Sequence, residues 1–174
     1  MASDSMDKIC DHKSAGVLVK KDGAILIIER KKFPAGFALP AGHLDGDSFL
    51  DAARRELKEE TGIEAEKLEH LFSEELPNPC RRQGGTHHQW QVFRAEIWSG
   101  EIKRSPDETK SAEWAGKERM SGLAERTETF ARKHKISTSD IAALTTALSN
   151  DPEWQSSPGL EPVWYHFLKR LGEI

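Results

Sequence analysis

Two short apolar runs open the patterned part of the chain, residues 15–19 (AGVLV) and 24–28 (AILII), joined by Lys20-Lys21-Asp22-Gly23. Asp-Gly between two β-rich runs predicts a hairpin. In residues 47–62 the period changes. Leu50, Ala53 and Leu57 form an apolar stripe at helical spacing. Asp47 or Ser48 suits the N-cap of that helix, Asp51 its first turn and Gly62 its stop. Residues 66–77 read as a strand with polar interruptions. Residues 78–86 (NPCRRQGGT) read as a loop. Residues 87–97 (HHQWQVFRAEI) alternate through His88, Trp90 and Val92 and predict a further strand, with Trp90 and Phe93 on opposite faces of a regular pleat. A loop carrying Pro106-Asp107-Glu108 leads into a short strand ending at Trp114. Beyond residue 117 three helices are predicted. One carries Leu123, Thr127 and Phe130. The second carries Ile141, Leu144, Thr145 and Leu148, with Thr138 or Ser139 as its cap. The third spans 160–171, with Pro162 in its first turn. The stretch NDPEWQSSPG separates the last two.

The helix at 47–62 also carries the chemistry. Glu56, Glu59 and Glu60 stand at i, i+3 and i+4 and share one face. Like charges so placed cost about 0.2–0.5 kcal/mol per pair. A divalent hard cation is the natural counter-charge, because it takes oxygen ligands and works alongside substrate phosphates. Arg55, four residues before Glu59, is placed to pair with it. Gly42 and Gly46 flank a turn whose backbone can approach a ligand closely.

Residues 39–63 resemble the Nudix box of the MutT-like hydrolases, G-x5-E-x7-R-E-U-x-E-E-x-G-U with U aliphatic. The second half matches throughout at Arg55, Glu56, Leu57, Glu59, Glu60, Gly62 and Ile63. The first half departs: Asp47 holds the position of the first Glu, and Ala41 that of the first Gly. Taking Gly42 as that Gly leaves the loop one residue short. Whether the shorter Asp47 carboxylate reaches a metal is therefore a structural question. With flanking features the resemblance covers about residues 14–116.

The resemblance implies an α/β class, a Nudix-type α/β/α sandwich with a mixed β-sheet, plus a helical C-terminal extension. The expected division is a polar arm over 1–12, a hydrolase core over 13–120 and the extension over 121–174, packed on the core. It implies a metal-dependent pyrophosphohydrolase that splits a nucleoside diphosphate derivative or NTP into NMP and a phosphorylated remainder. Mg2+ or Mn2+ would be held by Glu56, Glu59, Glu60 and the Ala41 backbone carbonyl, with Asp47 in question. Glu59 or Glu108 would be the general base, and Arg55 would orient carboxylates. Arg30, Phe37, Trp90 and Arg81 are the implied substrate contacts. Phe37 also suits the core, and an exposed loop arginine such as Arg81 often holds nothing. The competing reading is a non-catalytic Nudix-like module that senses a nucleotide. A plain scaffold whose acids are only a solvated face is the third. Metal-dependent release of phosphate products separates the first from both.

Composition narrows the class. The chain has 174 residues, 31% charged and 37% hydrophobic, enough for one domain with a core. A net charge of -4 gives no reason to expect bulk nucleic-acid binding. No apolar run approaches the roughly 18 residues of a membrane span. The polar N-terminus lacks a signal-peptide core, so a cytoplasmic protein acting on a small nucleotide is expected. Cys10, His12, Cys80, His87 and His88 supply ligand types without a paired C-x2-C spacing. Neither a zinc site nor a disulfide is expected from them. Trp154, Trp164, Tyr165 and Phe167 are expected in packing, and a homodimer contact or closure over a base would draw on the same residues.

Overall fold

A computed structural model describes residues 8–174. The strands are β1 (Lys13–Leu18), β2 (Lys20–Lys21), β3 (Ala24–Arg30), β4 (Gly36–Ala38), β5 (Ala41–His43), β6 (Glu64–Leu76), β7 (His88–Ser99) and β8 (Thr109–Ala115). They form two sheets. One is mixed, in the order β5-β1-β7-β6, with β1 and β7 parallel and the outer pairs antiparallel. The other is antiparallel, with β3 paired to β2, β4 and β8.

The Asp-Gly turn joins a shorter hairpin than the apolar runs suggest. Asp22 and Gly23 take positive φ (50° and 81°) and bring Lys20–Lys21 onto Ala24 and Ile25. The runs themselves part into different sheets, β1 into the mixed one and β3 into the antiparallel one, and both are almost wholly buried.

Helix α1 (Phe49–Thr61) covers one side. Its cap is Ser48, whose hydroxyl accepts the Asp51 amide at 3.1 Å, and it ends at Gly62 with φ 79°. Ala52, Ala53 and Leu57 pack with Val17, Val19, Leu26 and Phe93. On the other side, α2 (Lys117–Lys133) and α5 (Pro162–Leu171) deliver Met120, Leu123, Val163, Trp164 and Phe167 onto Ile25, Ile27 and Trp90. Trp90 and Phe93 thus belong to opposite layers. A side chain at Gly16 would run into the Trp164 ring, so the bare backbone of β1 is what lets α5 dock.

Two further helices complete the C-terminal region, α3 (Ile141–Ser149) and α4 (Pro152–Ser156). Helix α3 is capped by Asp140, which accepts the Ala143 amide, rather than by Thr138 or Ser139. Helix α4 lies inside the stretch read as a separator. Asp151 caps it, Pro152 opens it, and Trp154 anchors it against Phe130 while donating to the Ala35 carbonyl. Of the arm expected over 1–12, residues 1–7 lie outside the described residues. From Lys8 onward the chain is tied down: Cys10 N donates to Gln83 O and Gln83 N to Lys8 O, each at 2.9 Å. Among the described residues no helix is long and apolar enough to cross a membrane.

Candidate active site

Helix α1 presents its acids to β5. Arg55 is the organising cation. Its Nε donates to Asp47 at 2.8 Å and its Nη1 to Glu56 at 2.7 Å, with Glu59 at 3.7 Å. Its Nη2 donates to the His43 and Leu44 carbonyls at 3.0 and 3.2 Å. One planar guanidinium therefore fixes the loop between β5 and α1 and orients Glu56. Gly42 lies directly against the Glu56 carboxylate, where any Cβ would collide with it.

Glu108 joins these acids from the far side. It sits just before β8, and its carbonyl accepts the Lys31 amide at 3.0 Å, which pins it to the end of β3. One carboxylate oxygen each from Glu56, Glu59 and Glu108 lie within 4.8 Å of one another. Burial pushes the Glu56 carboxyl up to about 8; Arg55 opposes this, while Glu59 and Glu108 add to it. A set of hard oxygen donors drawn together around a buried carboxyl fits a divalent cation, whose charge would favour the ionised form.

Glu60 is placed differently from its neighbours. It is buried, and its Oε1 accepts the Ala41 amide at 2.8 Å. Burial and the nearby Glu56 push its carboxyl well above the ordinary range, against the pull of Arg30. Asp47 is engaged by Arg55 and does not belong to the close set of Glu56, Glu59 and Glu108. Ala41 borders the cleft beside Glu56, Glu60 and Glu108.

The cleft continues past Arg30, Gly42 and His43 into a second lobe walled by Phe33, Pro34, Asn78, Trp90, Glu161 and Val163. Arg30 stands between the lobes. Its Nη2 donates to the Phe33 carbonyl at 3.3 Å, and its Nε lies 3.6 Å from Glu161 Oε2. Trp90 lines the second lobe, its indole N–H held by Asn78 Oδ1 at 3.1 Å. Phe37 does not line it. Phe37 is 4% exposed, packed in the α2/α5 layer with the Arg119 guanidinium over its ring, so the expected substrate contact is replaced by a core role. Arg81 is exposed outside the cleft, over the Phe33 ring. The loop arginine that is buried is its neighbour Arg82, bidentate on Asp45, which it holds below the usual carboxylate range.

Sequence reasoning missed Glu161. It is buried, and burial pushes its carboxyl up to about 7 although Arg30 pulls the other way. Nothing near it in the sequence marks it, because its partner lies on β3. Its one local cue is the Pro162 that follows and opens α5, which makes Glu161 the N-cap residue.

The NAD-capped RNA hydrolase NudC of Pseudomonas aeruginosa is 33% identical over 100 residues, covering 56% of this chain and 34% of that protein. The ADP-ribose pyrophosphatase of Methanocaldococcus jannaschii is 36% identical over 102 residues, covering 56% of this chain and 57% of that one. The chain thus spans about a third of the NudC relative's length and just over half of the other's. Among solved structures, a MutT Nudix hydrolase from Burkholderia pseudomallei superposes with a TM-score of 0.55 at 28% identity, over 62% of this chain and 84% of that one. Nudix hydrolases generally use divalent metal ions. The family model for the NUDIX domain matches residues 11–136, which takes in both sheets, α1, α2 and every acid of the cleft except Glu161, and the chain belongs to the Nudix family.

Proposed function

We propose that the protein is a pyrophosphohydrolase dependent on Mg2+ or Mn2+, cleaving the diphosphate linkage of a nucleoside diphosphate derivative to NMP and a phosphorylated remainder. The observation that carries this reading is the convergence of Glu56, Glu59 and Glu108 from two separate elements at the mouth of a two-lobed cleft. These three would hold the cation, with Glu60 and Ala41 adjoining. When bound, the cation supplies charge against the phosphate oxygens and a more acidic water.

The remaining work falls to the chain. Arg55 keeps Glu56 in one orientation, and Gly42 leaves room for it. Glu59 or Glu108 accepts the proton from the water that attacks phosphorus in line. Arg30, between the lobes, faces the charge of the departing phosphate. The second lobe, with Trp90 as its aromatic wall, receives the base or the remainder. Both curated relatives are named for substrates in which a diphosphate joins an adenosine to a bulky partner, and a two-lobed cleft suits that shape. A cytoplasmic setting fits two cysteines that form no disulfide.

The test is a panel of nucleoside triphosphates, dinucleotides and nucleotide sugars incubated with Mg2+ or Mn2+, assayed for phosphate-bearing products beside Glu59→Gln. Metal-dependent turnover of one class, lost in the variant, is expected. Nucleotide binding in calorimetry without turnover of any class would overturn the reading in favour of a sensor.

A further inference from the structure

A second cluster of donors is formed by Cys10, His43, Cys80 and His88 from four separate segments, and His43, Cys80 and His88 border the second lobe of the cleft. Cys10, His43 and His88 are buried, and Cys80 is half-buried. The sulfurs are 3.8 Å apart, far beyond the roughly 2.0 Å of a disulfide. Cys10 Sγ lies 3.2 Å from His88 Nε2 and 3.7 Å from His43 Nε2, and the two Nε2 atoms are 3.2 Å apart.

Three of those four separations match the edges of one particular polyhedron, and the fourth, Cys10 to His88, is a few tenths of an ångström shorter. Zinc bonds of about 2.3 Å to sulfur and about 2.0–2.1 Å to nitrogen, at tetrahedral angles, put sulfurs about 3.8 Å apart, sulfur and nitrogen about 3.6 Å, and nitrogens about 3.3 Å. All four donor atoms fall within 4.8 Å of one another. We propose that Cys10, His43, Cys80 and His88 form a structural Cys2His2 zinc site, separate from the acidic site on α1.

The surroundings are built for it. The Asn78 carbonyl accepts from His88 Nδ1 at 2.9 Å, which fixes the ring and leaves Nε2 with its lone pair toward the cluster. The His12 amide donates to Cys10 Sγ at 3.3 Å, as suits a thiolate. A side chain at Gly85 would strike Cys80 Sγ, so the loop wraps closely round that sulfur. Two thiolates and two imidazoles suit zinc over Mg2+ or Mn2+, which prefer oxygen. Four protein ligands leave no position open for substrate, so the ion is structural. It ties the segment before β1, the 78–87 loop and β7 to β5. His43 is the residue after Gly42, so the tie reaches the strand that seats Glu56.

The first measurement is zinc per chain by plasma mass spectrometry, on full-length protein purified without chelator and washed with excess Mg2+. About one zinc per chain is expected in the wild type and in Glu59→Gln, falling at least about fivefold in Cys10→Ser and Cys80→Ser. If the cysteine variants fail to fold, wild-type protein reconstituted with Co2+ decides the matter. Thiolate-to-cobalt charge-transfer absorption with tetrahedral ligand-field bands supports the site. A cobalt spectrum without thiolate absorption overturns it. So does a wild type free of zinc, or zinc lost in Glu59→Gln but kept in Cys80→Ser. Each readout is independent of hydrolysis, so the zinc site and the proposed activity stand or fall separately.

Discussion

Asp47 accepts a hydrogen bond from Arg55 Nε at 2.8 Å, and the same guanidinium donates through Nη1 to Glu56 at 2.7 Å. The acid at the departure from the Nudix box therefore lies one guanidinium away from the close acidic set. The Arg55–Asp47 pair is partly exposed, with 24% and 42% of the side chains accessible, so it is worth about 0–1 kcal/mol. Asp47→Ala is expected to leave metal affinity within about twofold of wild type. Arg55→Lys loses the fork that grips Glu56 and two carbonyls, and is expected to cost about 10- to 100-fold in kcat/KM. Titration of activity against Mg2+ for both variants checks the contrast. A loss of metal affinity in Asp47→Ala as large as that in Glu56→Gln would place Asp47 among the ligands after all.

Gly42→Ala puts a methyl group where the Glu56 carboxylate now rests. Either the carboxylate moves or β5 does, at a cost of about 1–3 kcal/mol. The expected result is a fall in kcat of at least about tenfold with a cooperative unfolding transition retained. Kinetics and a thermal melt on one preparation suffice. Wild-type kcat in the variant would show that Glu56 needs no such seat.

Stability should depend on pH through Glu161. Burial raises its carboxyl from 4.5 to about 7, so the folded chain holds this proton more tightly than the unfolded one. A raised carboxyl stabilises most below its unfolded value, and that contribution is lost as pH climbs through the folded value. The window is about pH 4.5–7, and the shift corresponds to at most about 3 kcal/mol. Glu161→Gln cannot titrate, so its urea midpoint should fall less between pH 5 and pH 8 than that of the wild type, both in saturating Mg2+. Parallel pH profiles for the two proteins would refute the assignment.

The family match ends at residue 136, but the core does not. Val163, Trp164, Phe167 and Leu168 of α5 are buried in the same layer as Ile25, Ile27 and Trp90. Four such side chains contribute about 1.5–3 kcal/mol each, comparable with the roughly 5–15 kcal/mol stability of a whole domain. A chain cut after Ile136 is therefore expected to lose its cooperative melt and its near-ultraviolet circular dichroism. A truncated chain that melts within a few degrees of the full one would show α5 to be an appendage.

What could be read from the sequence is what local rules write. Ser48, Leu57 and Gly62 define α1 because caps and stripes act within a few turns. The shared face of Glu56 and Glu59 follows from the same periodicity. Glu108 comes from the family resemblance, in which an acid precedes a strand, and not from any local rule. Other features depend on contacts between distant segments, which spacing does not encode. Glu161 meets Arg30 only once α5 docks on the sheet through Trp164 and Gly16. His43 joins Cys10, Cys80 and His88 only because β5 and β7 flank β1 on opposite sides. Phe37 was open to two readings, because an aromatic before Leu-Pro suits a base-stacking wall and a core equally well by composition. Pairing of β4 with β3 puts it in the core. Helix α4 was hidden by its own capping residues, since Asp, Pro and Ser mark helix ends and loops alike.

Strand β5 is three residues long, and each has a different partner: Ala41 gives its amide to Glu60, Gly42 makes room for Glu56, and His43 turns toward His88 and Cys10. No position in it is spare. Attempts to redirect the proposed activity to another substrate would do best to leave these residues alone. The freedom to vary lies in the walls of the second lobe, at Phe33 and Pro79, whose side chains border the cleft without seating an acid.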